Sequence, residues 1–470
     1  MPGFVFYDTE TTGLRHGWDQ IVHFAAIRTD DDLNEIDHFE ARSRLLPHVI
    51  PHPKALLTNG LSIKQLCDPD LPPHYEMVCA IRRKLTEWSP AIFVGYNSIG
   101  FDEHMLRHAF FQCLHDPYLT SAAGNGRADA LGLALAASAL PPHCVEAPFS
   151  EHGKRTFKLD LIAKANRLAH EKAHDAASDA RATLALCRLV RERSDDVWQR
   201  FVRFSTKASV EQFVEAEDGF VLTEFFGNEP YHRVVVMIGR EPRNKNGRFC
   251  LDLSVDPKNW SSMSDDQLRG EICRKGSPVR RLAVNGAPTL TAIWDAPDEL
   301  LGELEADVAE DRARRIKDDK ALCDRVIQIY TTSWSDREES PHPEDQLYSG
   351  FAGDDDKYRM ASFHEAGRAE RLAIVARLED PRLQAFGRRL IHSNHRSWLS
   401  NEARVREDLD LAGRLTIEQK GALTLGGALN ILDELTNEGI EDQLGLLPEY
   451  RGWLQERLAR VEEFRRLHPS

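Results

Sequence analysis

Short apolar runs at Phe4–Tyr7, Ile21–Arg28 and Ala91–Tyr96, with a weaker one at His38–Leu45, read as strands. Stretches of helical period lie between and after them, at Tyr75–Trp88, Glu103–Leu114, Ala128–Ala139 and Ala177–Glu192. Early strands followed by alternating helix and strand predict a mixed sheet with helices on its faces over residues 1–200. The pattern then changes. Phe220–Phe226, His232–Gly239, Arg248–Val255, Val279–Val284 and Pro288–Ile293 are β-rich, and Asn246-Gly247 and Asn285-Gly286 sit where tight hairpin turns would sit. A small antiparallel sheet or barrel is expected over about 205–295. From Pro297 the pattern is helical, interrupted by a loop at Pro341–Asp356, with helices from about Ser362 to the end. The expected division is 1–200, 201–350 (the β unit with a helical insertion) and 351–470.

At 470 residues, 41% hydrophobic and 29% charged, the chain has the composition of a globular protein with several cores. The eight cysteines include no C-x-x-C pair, so reduced thiols are expected, with neither a disulfide framework nor a zinc ribbon. A strand pattern that starts at Phe4 argues against a signal peptide, and no apolar run suits a membrane span, so a cytoplasmic monomer is expected. The net charge of −15 is unevenly spread. Residues 1–200 hold 22 Lys/Arg against 26 Asp/Glu, residues 201–290 hold 13 against 12, and residues 291–470 hold 25 against 37. Acidity concentrated at the C-terminal end disfavours nonspecific coating of nucleic acid but is compatible with a strand gripped in a groove.

Candidate chemistry lies in the first 180 positions. Asp8 and Glu10, in FVFYDTETTGL, are two apart at a strand end, and period-2 alternation puts both side chains on one face. Asp102, in GYNSIGFDEHML, follows a strand and opens a helix, where it could be an N-cap or part of the same site. His174 and Asp179, in AHDAASDARATLAL, are five apart, which on one helix separates them by about 140°. They converge if His174 lies in the loop and the helix starts near Asp175 or Ala176. Carboxylates repel one another when gathered, and a hard divalent cation, Mg2+ with Mn2+ as a substitute, removes that cost. Asp8, Glu10 and Asp179 are therefore expected to hold two cations about 4 Å apart, with Asp102 completing the shell. His174 would take the proton from an attacking water. The expected reaction is hydrolysis of a phosphodiester.

D-x-E, a middle Asp and H-x-x-x-x-D together resemble the DEDDh 3′→5′ exonucleases. HFAAIRTD (23–30), GYNSIGFDE (95–103), FKLDLIAKAN (157–166), AHDAASDARATLA (173–185) and DQLYSGF (345–351) are similar to segments of its exodeoxyribonuclease I branch. The resemblance implies an RNase H-like α/β exonuclease domain with a mixed sheet, an SH3-like β domain and a C-terminal α-helical domain around a groove for single-stranded DNA. It implies that Glu10, Lys158, Arg107 and Tyr118 meet the substrate, and that the acidic C-terminal tail of single-stranded DNA-binding protein is a partner. DTETTG departs from that branch, with Thr9 and Thr12 where aromatics are frequent, and is closer to proofreading subunits and RNA-trimming relatives. An RNA 3′-end-trimming exonuclease and a non-catalytic nucleic-acid-binding scaffold remain alternatives at this point. RARRIKDDK (312–320) reads as a charged helix face or a basic patch, and Trp198, Trp260, Trp294, Trp334, Trp398 and Trp453 as core or domain-contact residues.

Overall fold

The computed structural model describes residues 3–122, 124–151, 153–170, 173–332, 339–419, 421–440, 442 and 444–468. Its N-terminal sheet contains β1 (Phe4–Thr11), β2 (Ile21–Thr29), β3 (Glu35–Arg42), β4 (Ile92–Gly95) and β5 (Gly126–Asp129) in the order β3-β2-β1-β4-β5. β1–β2 and β2–β3 pair antiparallel, while β1–β4 and β4–β5 pair parallel, so the expected mixed sheet is present. β1 is central and buried on both faces. Phe4 and Phe6 pack with Leu184 and Trp198, and Val5 and Tyr7 with Ile81 and Phe110. β3 is the edge strand and alternates between exposed and half-buried residues, which explains its weak apolar signal.

The strand β5 was not anticipated: residues 128 and 129 were expected in a helix. The helix Ala130–Ala139 starts only after Asp129, whose carboxylate accepts the Leu131 N–H at 3.0 Å as an N-cap. The four-residue strand before it exists because β4 pairs with it, a tertiary effect with no periodicity of its own.

A second, wholly antiparallel sheet contains β6 (Phe220–Phe226), β7 (Glu229–Arg240), β8 (Gly247–Asp252), β9 (Val279–Ala283) and β10 (Thr289–Ala292), in the order β10-β6-β7-β8-β9. Both faces are covered. Phe220, Leu222 and Val235 meet Phe204 and Phe213, whereas Val221, Val234 and Val236 meet the helices Ala306–Asp318 and Lys320–Thr332. Neither Asn-Gly pair forms a two-residue hairpin. Six residues connect β7 to β8, and Gly247 begins β8 because a Cβ there would strike the Glu241 carboxylate. Asn285-Gly286 joins β9 to β10, which are opposite edges of the sheet and not partners.

Helices between Asp354 and Leu467 form the C-terminal unit, beginning eight residues before the expected Ser362. They close against the first unit through Leu425, Leu432, Tyr450 and Leu454 on Ile50, Leu56 and Ile63, and through Phe363, Leu383 and Phe386 on Phe111 and Leu114. Trp198 and Trp260 are buried as expected, and Trp398 and Trp453 are half-buried, but Trp294 is 73% exposed; Trp334 lies outside the described residues. In the RARRIKDDK segment Arg312 donates to the Leu253 carbonyl and Lys317 to the Glu217 carbonyl, so these two charges tie the helix to its neighbours.

A buried ion triad ties the segment that precedes the C-terminal helices to two of them. Glu344 is 2% exposed and accepts from Arg389 at 2.5 Å and Arg414 at 2.6 Å through the same oxygen. Burial works against its charge, but the two guanidinium groups outweigh it and hold its carboxyl below the ordinary range. Removing one member of such a cluster leaves buried charge without compensation. Glu344→Gln is therefore expected to destabilise the protein by about 3–5 kcal/mol in urea denaturation. Glu456→Gln, which breaks the exposed Arg460–Glu456 pair, should cost no more than about 0.5 kcal/mol, and equal effects of the two would contradict the assignment.

Candidate active site

β1 carries Asp8 and Glu10 beside Ala25 and His23 of β2, and its parallel pairing with β4 brings the segment after β4 to its end. That segment turns through Asn97, which has φ +59°, and the turn is fixed by Asp129, which accepts the N–H groups of Asn97 (2.8 Å) and Ile99 (3.1 Å). The helix Asp102–Gln112 then starts, with Asp102 buried, its Oδ1 accepting the Thr9 hydroxyl at 2.5 Å. Asp102 thus stands next to Asp8 because β1 and β4 are neighbours. Thr9, which departs from the resembled pattern, holds it there.

The helix Ala176–Arg193 begins where the H-x-x-x-x-D spacing requires. Asp175 is its N-cap, accepting the Ser178 N–H at 3.3 Å, and His174 lies outside it in the left-handed region at φ +60°. Asp179 projects from the first turn, and one oxygen from each of Asp8, Glu10 and Asp179 lies within 4.8 Å of the others. His174 is exposed at the rim. Sequence reasoning missed a second histidine: His170 donates Nε2–H to Asp179 Oδ1 at 2.6 Å. It lies nine residues before Asp179, and no helical or strand spacing links the two.

Electrostatics show the cost of this gathering. Burial, then the charges of Asp102, Asp179 and Glu10, raise the Asp8 carboxyl well above its ordinary range. Burial with Asp179 and Asp102 moves Glu10 up to about 8, and burial moves Asp102 up to about 7 despite its Thr9 hydrogen bond. Asp179 is also raised by burial, with His170 and His174 opposing. Three hard oxygen donors that cannot all ionise cheaply are a donor set suited to divalent cations.

The remaining expected substrate residues divide. Arg107 and Tyr118 line one cavity of about 760 Å³ between the first and second units, with Arg127, Lys207, Lys245 and Phe351. The Arg107 guanidinium lies 5.2 Å over the Tyr118 ring and donates to Glu103 at 2.8 Å. Glu103, 1% exposed, is the anchor of this wall: it also accepts from Thr120 (2.6 Å) and Arg127 (3.3 Å). The DQLYSGF segment crosses the cavity mouth, where the Tyr348 hydroxyl meets His104 Nδ1 at 2.6 Å and Phe351 lies 5.5 Å from Tyr118. Lys158 is elsewhere, exposed at the start of the helix Leu159–Ala165 and outside this cavity's lining.

Two family models match the chain, Exonuclease over residues 5–187 and Exonuclease I C-terminal domain over 341–457. Exodeoxyribonuclease I of Haemophilus influenzae is 28% identical over 76% of this chain and 79% of its own length. That of Buchnera aphidicola subsp. Acyrthosiphon pisum is 30% identical over 62% of this chain and 72% of its own. Escherichia coli Exonuclease I, solved with a dA16 oligonucleotide, superposes with a TM-score of 0.82 at 23% identity, covering 99% of this chain and 100% of that one. A further Exonuclease I structure, solved with SSB and an inhibitor, matches with a TM-score of 0.80 at 24% identity, covering 97% of this chain and 99% of that one. The matched exonuclease region contains all five acidic and histidine site residues, and the chain belongs to the exodeoxyribonuclease I family.

Proposed function

We propose that Asp8, Glu10 and Asp179 hold a pair of Mg2+ ions and that the chain removes 5′-mononucleotides one at a time from the 3′ end of single-stranded DNA, in repair and recombination. The observation that carries this reading is the convergence within 4.8 Å of two carboxylates from a central strand and one from the first turn of a helix. Bound metal supplies charge stabilisation for the displaced oxygen and acidifies the attacking water. The chain's own groups do the rest. Asp102 stays fixed by Thr9 beside Asp8 and completes the acidic shell. His174, exposed and off the helix, is the group read as accepting the water's proton. Glu10 is also read as a contact for the terminal nucleotide.

Arg107 and Tyr118 are read as cavity contacts for the strand, a phosphate partner and a stacking surface, joined by Lys207, Lys245 and Phe351. Lys158 is read as a contact beside the active site and not within the cavity. The oligonucleotide-bound E. coli neighbour and the SSB-containing structure support single-stranded DNA and the SSB tail as partners. Among the described residues no helix is long and apolar enough to cross a membrane, and a cytoplasmic location is the reading that suits eight free thiols. We keep the partition at 200 and 350, supported by the hydrophobic cluster from Phe204 to Ala292, which lies wholly within the second unit.

With 5′-labelled substrates and Mg2+, single-stranded DNA should shorten from its 3′ end while duplex DNA and RNA persist, and chelator or Asp8→Ala should stop the reaction. Equal digestion of RNA would instead favour the RNA-trimming reading. His174→Ala should lower kcat by about 10²–10⁴-fold.

Stability provides a second test. Carboxyls raised in the folded state favour folding while protonated, and that contribution is lost as pH rises through their folded values, about 7 for Asp102 and about 8 for Glu10. In chelator the melting midpoint should therefore fall as pH rises from roughly 4, where the unfolded carboxyls ionise, to roughly 8, and level off above that, and Asp8→Asn should flatten the fall. Mg2+ should raise the midpoint more at the upper end of that range, because fewer protons must be displaced. A flat profile in chelator for the unsubstituted protein would contradict the clustering.

A further inference from the structure

A second group of ligand-type side chains lies on the far side of the helix Asp102–Gln112, at the seam with the C-terminal unit. Cys79 comes from the helix His74–Glu87, His115 from the turn after Asp102–Gln112, and His364 from the last turn of Asp354–Glu365. Cys79 Sγ is 3.4 Å from His115 Nε2 and 3.9 Å from His364 Nδ1, and the three ligand atoms lie within 4.8 Å of one another. Tyr75, one helical turn before Cys79, places its hydroxyl 2.9 Å from His364 Nδ1. All three candidate ligands are half-buried.

We propose that Cys79, His115 and His364 form a binding site for a thiophilic divalent ion, Zn2+ foremost, which staples the C-terminal helices to the exonuclease unit. Bond lengths of about 2.3 Å to sulfur and 2.0–2.1 Å to nitrogen at a tetrahedral angle put sulfur and nitrogen about 3.6 Å apart, between the two separations observed. His364 carries the support that metal-binding histidines have: its Nε2–H donates to the Leu114 carbonyl at 3.0 Å, which leaves the Nδ1 lone pair directed at the cluster. Burial holds both imidazoles in the neutral, ligating form and keeps Cys79 a thiol until an ion displaces its proton. The two rings are stacked at 3.8 Å and 10°, so one must tilt to aim both lone pairs at a single centre. The neighbouring guanidinium groups of Arg82 and Arg371 oppose a bound cation, and the Cys79 thiolate offsets one of those two charges. Mg2+ has little affinity for sulfur and imidazole, so this site and the carboxylate site select different ions.

The test uses the full chain, freed of metal, reduced, and held in excess Mg2+ to occupy the carboxylates. Titration with Co2+ should develop a thiolate-to-cobalt charge-transfer band and tetrahedral d–d bands that saturate at one equivalent, and Zn2+ should bleach them. Cys79→Ser should remove the charge-transfer band, His364→Gln should weaken Co2+ binding at least ~10-fold, and Cys67→Ser and Cys273→Ser, at exposed thiols, should change neither. Zn2+ should raise the melting midpoint of the unsubstituted protein but not of Cys79→Ser, whose Mg2+-dependent nuclease activity should be retained. If Cys79→Ser does not fold, the His364→Gln titration decides. Absence of a charge-transfer band in the unsubstituted protein, or its survival in Cys79→Ser or at full affinity in His364→Gln, overturns the proposal.

Discussion

Repulsion among buried carboxylates is the constraint around which the first unit is organised. Asp8, Glu10, Asp102 and Asp179 come from one strand and the first turns of two helices, and each would be more stable in water. They stay together because β1 is held on both sides, antiparallel by β2 and parallel by β4, and is packed above and below by aromatic and aliphatic residues. A central strand is the stiffest platform the fold offers, so the cost of the cluster is carried by an element that cannot relax it. Raised carboxyl pKa values are the visible residue of that conflict.

The same tension reconciles an acidic protein with a polyanionic substrate. The chain's net charge is −15, yet the cavity beside the site presents Arg107, Arg127, Lys207 and Lys245 together with Tyr118 and Phe351. Local charge, not the total, meets a strand at a few ångströms, because ions in solution screen the rest beyond about 8–10 Å. Much of the acidity lies after residue 290, partly consumed in pairs such as Arg359 with Asp356 and Arg382 with Asp380.

The site was more legible in the sequence than the architecture that supports it. Period-2 spacing placed Asp8 and Glu10 on one face, and the five-residue gap placed His174 off its helix; both follow from backbone geometry alone. β5 carries no strand signal because four residues are too few to show a period, and the Asn-Gly pairs mark turns without specifying which strands they join. Glu103 opens a predicted helix, but its charged and hydroxyl donors come from positions 7, 107, 120 and 127 and meet only in the fold. His170 and the Cys79–His115–His364 group have no fixed spacing at all, the latter spanning 285 positions between Cys79 and His364.

Asp102 and Glu103 are consecutive, yet one belongs to the acidic site and the other to the cavity wall. Adjacent Cα atoms across a trans peptide are about 3.8 Å apart, a length that neither helix bending nor domain motion can alter. The backbone of the acidic site and the backbone of the cavity wall's anchor are thus joined by a single covalent link. An insertion or deletion at this point would shift Asp102 and Glu103 against one another and disturb both walls at once.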